Sequence, residues 1–222
     1  YNLTITSDIP VGVGLGASAA LSSAVIGALL LFLKVRWDLN LINKLAYKAE
    51  KVFHGNPSGA DNKTVIFGGI TVPSKLADNF VLINTGTPAE STKEMVELVK
   101  SKVKSQKSKF WKIFDEQERL VKELLPAIKT ANEKEFIRII REGERNLESI
   151  GVVSSYAASI IRKIEKAGGA AKICGGGGKT KATGILLTYH PDQKKLVQIA
   201  KSYNLLYYTV ALGVSGLRKE SL

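Results

Sequence analysis

The chain has 222 residues, of which 45% are hydrophobic and 23% charged, enough for the core of one large domain or two small ones. No apolar run approaches the roughly 18 residues of a membrane-spanning helix, and no signal peptide or lipidation motif opens the chain. We therefore expect no membrane partner. The single cysteine, Cys174, excludes an internal disulfide framework and favours the reducing environment of the cytoplasm.

The net charge is +12, and the excess of basic residues lies mostly after residue 78. Residues 79–222 hold 25 of the 32 basic residues and 15 of the 20 acidic ones. Interleaved acidic and basic residues favour solvated helix faces over a nucleic-acid surface. One stretch has five lysines and no acid: Lys100, Lys102, Lys104, Lys107 and Lys109. We expect no nucleic-acid partner and keep a module that binds RNA or another polyanion as a weaker alternative.

The first predicted elements are a strand, a glycine-rich turn and a buried helix. Residues 3–7 alternate apolar and polar side chains, which predicts a strand. Residues 10–16 form the turn, and residues 17–33 are apolar nearly all round, which predicts a buried helix.

A second helix and a second strand are predicted before residue 80. Apolar residues at helical spacing indicate a helix that starts at Asn40 or Asn43 and ends near residue 53, where turn residues break it. Residues 64–72 predict a strand or hairpin, and residues 73–79 a linker.

The rest of the chain mixes strands and helices without strict alternation. Strands are predicted at residues 80–84, 184–188 and 205–212, and helices at residues 91–107, 109–127, 133–147, 154–167 and 193–203. This mixture predicts the α+β class with two domains, residues 1–75 and 76–222, and a cleft between them.

The glycine-rich turn has the properties of a phosphate-binding loop. Glycines let the backbone approach a phosphate, and the N-terminus of the following helix offers unpaired N–H groups. No Gly-Lys-Ser/Thr ends the loop, so it is not a Walker A loop. Gly12, Gly14 and Ala17 match the dinucleotide pattern, but a second strand ending in an acidic residue does not follow. A plain tight turn is the alternative.

Two carboxylates flank the turn at residues 55–57. Phosphorylation of an alcohol needs a hydroxyl that is oriented for attack, and a carboxylate near the acceptor can orient it. It also needs the negative charge of the phosphate to be neutralised, and a second carboxylate can hold the Mg²⁺ ion that does this. Glu50 and Asp61 could meet these needs, but the residues alone fit equally well a solvated glutamate and an aspartate that caps the next element.

A second glycine cluster lies at residues 175–178. Ile173 occupies the position of the first glycine of G-x-x-x-x-G-K-T, so this segment is not a Walker A loop either. A glycine-rich hinge without ligand contact is the structural alternative.

Together these segments resemble the motifs of the GHMP kinases. The sequence PVGVGLGASAA at residues 10–20 matches their P-x-G-x-G-L-G-[SA]-S-A-A loop at every fixed position. The sequence HGNPSGADN at residues 54–62 looks like the signature of the mevalonate kinases within that superfamily. Residues 172–180 resemble the C-terminal K-x-T-G-A-G-G-G motif, with Cys174 at the threonine position, and residues 84–93 resemble a segment that borders the active site.

The resemblance implies a fold and a set of site residues. The fold would combine an N-terminal domain like ribosomal protein S5 domain 2, here incomplete, with a ferredoxin-like C-terminal domain, and the active site would lie in the cleft between them. Asp61 would be catalytic, Ser18 and Glu50 would bind Mg²⁺, and His54, Asn56, Ser58 and Asp61 would bind the substrate. ATP would be bound by Pro10, Gly12, Gly14, Leu15, Gly16, Ala17, Ser18, Gly175, Gly176 and Gly177.

The implied reaction is ATP-dependent phosphorylation of the primary hydroxyl of mevalonate to 5-phosphomevalonate, a step towards isoprenoids. Another GHMP kinase of the same pathway is the main alternative. The superfamily's opening P-G-[KR] … G-E-H segment has no counterpart among these residues. We therefore expect them to come from a longer protein or to need a complementary fragment, and a homodimer is compatible with the sequence.

Overall fold

A computed structural model describes residues 2–54, 57–69, 72–210 and 212–220, without the side chains of residues 53, 54 and 74. In chain order the elements are α1 (Ala17–Phe32), α2 (Leu39–His54), α3 (Ala60–Phe67), α4 (Ser74–Ala77), β1 (Phe80–Asn84), α5 (Thr92–Ser105), α6 (Lys107–Lys129), α7 (Glu133–Ile150), α8 (Ser155–Lys166), β2 (Ala170–Ile173), β3 (Ile185–Tyr189), α9 (Gln193–Ser202) and β4 (Tyr207–Val210). Among the described residues, no helix is both long and apolar enough to cross a membrane.

The first three helices pack against one another around a small core. The buried residues of this core are Leu30, Ile42, Ala46 and Ile66. The end of the chain returns to the same core, because the Leu217 side chain packs against it and the Leu217 N–H donates to the carbonyls of Val65 and Ile66. The helices predicted at residues 17–33 and from Asn40 or Asn43 onward are confirmed as α1 and α2.

Two predicted elements near the N-terminus are wrong. Residues 3–7 form no strand, because none of the described residues pairs with them, and Leu3 and Ile5 remain more than half exposed. The strand or hairpin predicted at 64–72 is wrong for its described part, since residues 60–67 form α3. Burial of Asn62 and Ile66, one helical turn apart, outweighs the strand preference of the β-branched residues there.

The second half of the chain contains a four-stranded antiparallel sheet. The strand order is β2-β3-β1-β4, with α5–α8 between β1 and β2 and α9 between β3 and β4. This βαββαβ arrangement confirms the predicted ferredoxin-like topology. Strand β2 was not predicted, because two alanines and a lysine have little strand preference and the single isoleucine at its end does not make a strand without pairing to β3.

Helices cover both faces of this sheet. On one face the main core includes Val81 and Ile83 of β1 and the fully buried Ile160, Ile161 and Ile164 of α8. On the other face an aromatic cluster joins the sheet to α7, with ring centroids 5.0–5.8 Å apart: Phe80, Phe136 and Tyr189. The alternation of β1 side chains between the two faces follows from the pleat of the strand.

Local capping explains where the predicted helices begin. The Ser91 side chain and Glu94 form a reciprocal capping box at the start of α5. The side chains of Asn132 and Ser154 accept from backbone N–H groups in the first turns of α7 and α8. These caps satisfy helix N–H groups that otherwise lack partners. The five helices and three strands predicted after residue 79 are confirmed within a few residues.

Candidate active site

The first glycine loop folds as a left-handed turn into α1. Gly12, Gly14 and Gly16 have φ angles of 76°, 86° and 66°. Residues other than glycine rarely adopt this backbone conformation. Gly16 is the N-cap of α1, no side chain among the described residues caps this end, and its first turn carries no acidic residue. The backbone N–H groups of this turn and its positive dipole end are therefore available to an anion.

A polar contact joins the start of α1 to the end of α2. The Ser18 hydroxyl donates to Glu50 Oε2 at 3.1 Å. Glu50 is only 3% exposed, and a buried carboxylate is stable only where polar partners or a cation compensate its lost hydration. The pair therefore places two oxygen groups next to the N-terminus of α1.

Asp61 lies opposite this helix end, in the first turn of α3. It is exposed, and a methyl group added at Gly16 would lie 3.8 Å from Asp61 Cβ and Cγ. Gly59, with a φ angle of 76°, is the N-cap that turns the chain into α3. Upstream of it, the Tyr47 hydroxyl donates to the Pro57 carbonyl at 3.1 Å. The turn that carries the aspartate is thus fixed to α2.

The second glycine loop packs on the first, backbone against backbone. A Cβ on Gly14 would lie 2.7 Å from the Cys174 carbonyl oxygen, and a Cβ on Gly175 would lie 2.7 Å from Gly14 Cα. Next to this contact, the Ile185 N–H donates to the Val13 carbonyl at 3.0 Å. Only glycines allow so close an approach, so both loops need them for contact with each other as well as for any ligand.

These elements enclose a cleft of about 610 Å³, within the usual size range of small-molecule sites. Among the predicted site residues, it is lined by Gly12, Gly14, Leu15, Gly16, Ala17, Ser18, Glu50, Ser58, Asp61, Gly175 and Gly176. Pro10 and Gly177 do not line it, and Gly177 faces a smaller neighbouring cavity of about 380 Å³. Asn56 and the His54 side chain lie outside the described residues. Ser58 is exposed and accepts from the Ala60 N–H at 3.2 Å.

The cleft also contains residues to which the sequence analysis assigned no individual role. Its further lining consists of Val11, Pro57, Gly59, Asn62, Thr92 and Val96. Asn62 ends the HGNPSGADN segment, so its position directly after Asp61 was the available signal. Thr92 belongs to the segment at residues 84–93, for which the resemblance implied a place beside the active site, and it lines this cleft.

Buried hydroxyl groups hold the second loop in place. Thr85 Oγ1 donates to the Gly184 carbonyl at 2.7 Å and accepts from the Thr183 N–H at 3.0 Å. The hydroxyls of Ser154 and Thr183 lie 2.9 Å apart, which links the loop to the start of α8. Burial raises the pKa of the Cys174 thiol, so it stays protonated and a role as nucleophile is unsupported.

Comparison with known proteins finds similar kinases. Residues 1–69 match the family described as GHMP kinases N terminal domain. The mevalonate kinase of Arabidopsis thaliana is 29% identical to the chain over 244 residues, covering 96% of the chain and 64% of that enzyme. The mevalonate kinase of Thermococcus sibiricus is also 29% identical, covering 99% of the chain and 69% of that enzyme.

A solved structure shares the fold. The crystal structure of L. major mevalonate kinase in complex with R-mevalonate superposes with a TM-score of 0.71 at 23% identity, covering 89% of the chain and 66% of that protein. The chain thus spans less than two thirds of the length of the Arabidopsis enzyme and of the L. major protein. The family match over residues 1–69, the motifs and the shared fold together make the chain similar to the GHMP kinases.

Proposed function

We propose that the protein phosphorylates the primary hydroxyl of mevalonate with ATP, giving 5-phosphomevalonate. The observation that carries this proposal is the convergence of Asp61, the Ser18–Glu50 pair and two glycine loops on one cleft. Its curated relatives from Arabidopsis thaliana and Thermococcus sibiricus are mevalonate kinases, and the L. major structure holds R-mevalonate. We further propose that residues 1–75 and 76–222 act as the two domains on either side of this cleft.

The glycine loops are suited to the triphosphate. The N-terminus of α1 presents N–H groups and a positive dipole to an anion, and no acidic side chain in its first turn opposes this. Gly175 and Gly176 form the other wall of the cleft. In this proposal the two loops hold the phosphates, with Pro10 and Gly177 supporting the loops from outside the cleft.

The chemistry of Ser18 and Glu50 fits Mg²⁺. A hydroxyl and a carboxylate are hard oxygen ligands, and Mg²⁺ in kinases binds to one or two such groups besides phosphates and water. When bound, the ion would neutralise charge on the transferred phosphate. The hydrogen bond between Ser18 and Glu50 holds both oxygens on the same side of the cleft.

Asp61 is suited to act on the acceptor hydroxyl. Its carboxylate lies in the cleft beside Gly16, where the phosphate loop meets α1. From there it would orient the alcohol and accept its proton during attack on the terminal phosphate. In this proposal the acceptor lies between Asp61 and Ser58, and His54 and Asn56 contribute to its recognition.

A direct assay tests the proposed substrate. Turnover with ATP is measured for mevalonate, phosphomevalonate, homoserine and galactose under identical conditions. We expect mevalonate to have the highest kcat/KM. Preference for phosphomevalonate would instead support the alternative, another GHMP kinase of the same pathway, and absence of turnover with all four would refute both.

We expect Glu50→Gln to raise the Mg²⁺ concentration needed for half-maximal activity by roughly 10- to 100-fold, the range typical of lost metal-site support. The amide still accepts from Ser18 but carries no charge for the ion. A Mg²⁺ titration of turnover measures the change. Glu97→Gln is the control, because Glu97 is exposed on α5 and pairs with Lys100 outside the cleft. An unchanged Mg²⁺ requirement in the Glu50 variant would remove Glu50 from the metal site.

A further inference from the structure

A buried carboxylate behind the second glycine loop has no role in the reaction described above. Glu144 lies in the middle of α7 with no exposed surface. Its Oε2 accepts from the backbone N–H of Ile173 at 3.0 Å, and its Oε1 has no hydrogen-bond partner among the described residues. A buried carboxylate with one free oxygen destabilises the fold, so its presence calls for a compensating function.

The strand contact explains what this carboxylate does structurally. Strand β2 is an edge strand, paired with β3 on one side only. At the end of β2, successive backbone N–H groups point to opposite sides of the strand. The Cys174 N–H donates towards the sheet, to the Ile185 carbonyl at 2.8 Å, and the Ile173 N–H donates away from the sheet, to Glu144. Glu144 therefore takes the place of a neighbouring strand at the last residue of β2.

This contact lies two residues before the first residue of the cleft wall, Gly175. Cys174 and Gly175, which follow Ile173, are in backbone contact with Gly14 of the first loop. Gly175 and Gly176 then line the cleft itself. A shift of Ile173 would move Cys174 and Gly175 as well. Their contacts with Gly14 are between backbone atoms, so no flexible side chain can adjust to keep the loops in place.

We propose that Glu144 is a positioning residue for the nucleotide: by holding the N–H of Ile173, it fixes residues 174–176 against Gly14 and so sets the affinity of the cleft for ATP. The inference rests on the proposed function in taking ATP as the ligand of the two loops. It adds a residue outside the cleft whose chemistry controls one wall of the cleft.

The surroundings of Glu144 make this contact sensitive to pH. Burial raises the pKa of the carboxyl to about 7, while the Ile173 N–H and the Lys172 ammonium oppose the rise. The other charged groups facing it are Glu148, which raises its pKa, and Arg145, which lowers it, and the thiol of Cys174 lies close by. An ionised carboxylate is the stronger acceptor for an N–H. ATP affinity should therefore fall as the pH decreases through 7.

The test compares two replacements of Glu144 in the whole protein. Glu144→Met removes the acceptor at similar volume, and Glu144→Gln keeps an acceptor but cannot ionise. Glu142→Gln is the control, since Glu142 lies on the same helix and pairs with Arg138 at the surface. We expect Glu144→Met to raise the Kd of ATP, measured by calorimetry, by roughly 2- to 10-fold, the worth of one such hydrogen bond. The kcat at saturating ATP should change less.

Two further readouts separate positioning from general destabilisation. Between pH 6 and 8 the Kd of ATP should vary in the wild type more than in Glu144→Gln, whose value should follow only the titration of ATP itself. Alkylation of Cys174 by iodoacetamide without nucleotide, followed by peptide mass spectrometry, should be faster in Glu144→Met than in Glu144→Gln, because both variants lack the Glu144 charge that raises the thiol pKa but only Glu144→Met loses the acceptor for Ile173. If Glu144→Met does not fold, the pH comparison with Glu144→Gln decides alone.

The outcomes distinguish this inference from the proposed function. Wild-type ATP affinity in Glu144→Met, or the same pH dependence in Glu144→Gln as in the wild type, would overturn the positioning role even if mevalonate is phosphorylated. Conversely, weakened ATP binding in Glu144→Met supports it even if another alcohol proves to be the acceptor.

Discussion

Asp61→Asn should lower kcat with mevalonate by roughly 10²- to 10⁴-fold, the usual contribution of a well-placed general base. Asparagine keeps the size of the side chain and its position in the first turn of α3, but it cannot accept the proton of the alcohol. The loss should appear in kcat more than in the KM for ATP, because Ser18, Glu50 and the glycine loops remain in place. Steady-state kinetics with both substrates measure this division.

Stability measurements test whether the loss of kcat in Asp61→Asn comes from a less stable fold. Asp61 is the acidic residue in the first turn of α3, so its neutralisation removes a favourable interaction with the helix dipole of about 0.3–1 kcal/mol. The Tm should therefore drop only slightly. Asp78→Asn, at an exposed residue after α4, should leave turnover unchanged. A fully active Asp61→Asn protein would show that the reaction needs no proton acceptor at this position.

The second large effect is expected from Gly14→Ala. A methyl group at this position would lie 2.7 Å from the Cys174 carbonyl oxygen, and the φ angle of 86° is unfavourable for alanine. Since the opposing atoms belong to the backbone, the two glycine loops must move apart. A displacement of about 1 Å among groups that position substrates can lower kcat/KM by about 10²-fold. We expect a loss of that size, together with weaker ATP binding.

A variant at the neighbouring Gly12 shows how much of the loss comes from the steric clash and how much from backbone strain. Gly12 has a φ angle of 76°, but a methyl group there would meet only Thr87 Cγ2, at 3.9 Å. Gly12→Ala therefore carries the same kind of strain, about 1–2 kcal/mol, without the collision. Calorimetric ATP binding should weaken markedly more in Gly14→Ala than in Gly12→Ala. Equal losses in the two variants would mean that the contact between the loops has no special importance.

Local signals account for most of the fold that the sequence predicted. The long helices were predicted from the sequence, and the structure shows that Ser91, Asn132 and Ser154 cap three of them. The features that failed depend on contacts distant in sequence. Strand β2 exists through pairing with β3, and α3 forms where Ile66 reaches the core made by α1 and α2. Neither contact leaves a periodic pattern in the short segments concerned.

The residues of the candidate site also fall into those that the sequence predicted and those that it did not. The motifs predicted that Ser18, Glu50 and Asp61 contact the ligands, and the structure brings all three to one cleft. The supporting residues were not found. A glutamate in a charged helix such as α7 looks like a surface residue, and only its contact with the edge strand shows that Glu144 is buried. Thr85, Ser154 and Thr183 likewise carry no signal in the sequence, because the hydrogen bonds of their hydroxyls are seen only in the structure.

The return of the chain end to α3 has a consequence for synthesis on the ribosome. Leu217 supplies the N–H that bonds to the carbonyls of Val65 and Ile66, at the end of the helix that begins with Asp61. The first three helices leave the ribosome early, but this partner for α3 arrives only after the whole sheet has been translated. Until residue 217 has been translated, α3 and Asp61 lack this contact, so this side of the cleft can reach its final geometry only after the sheet has been made.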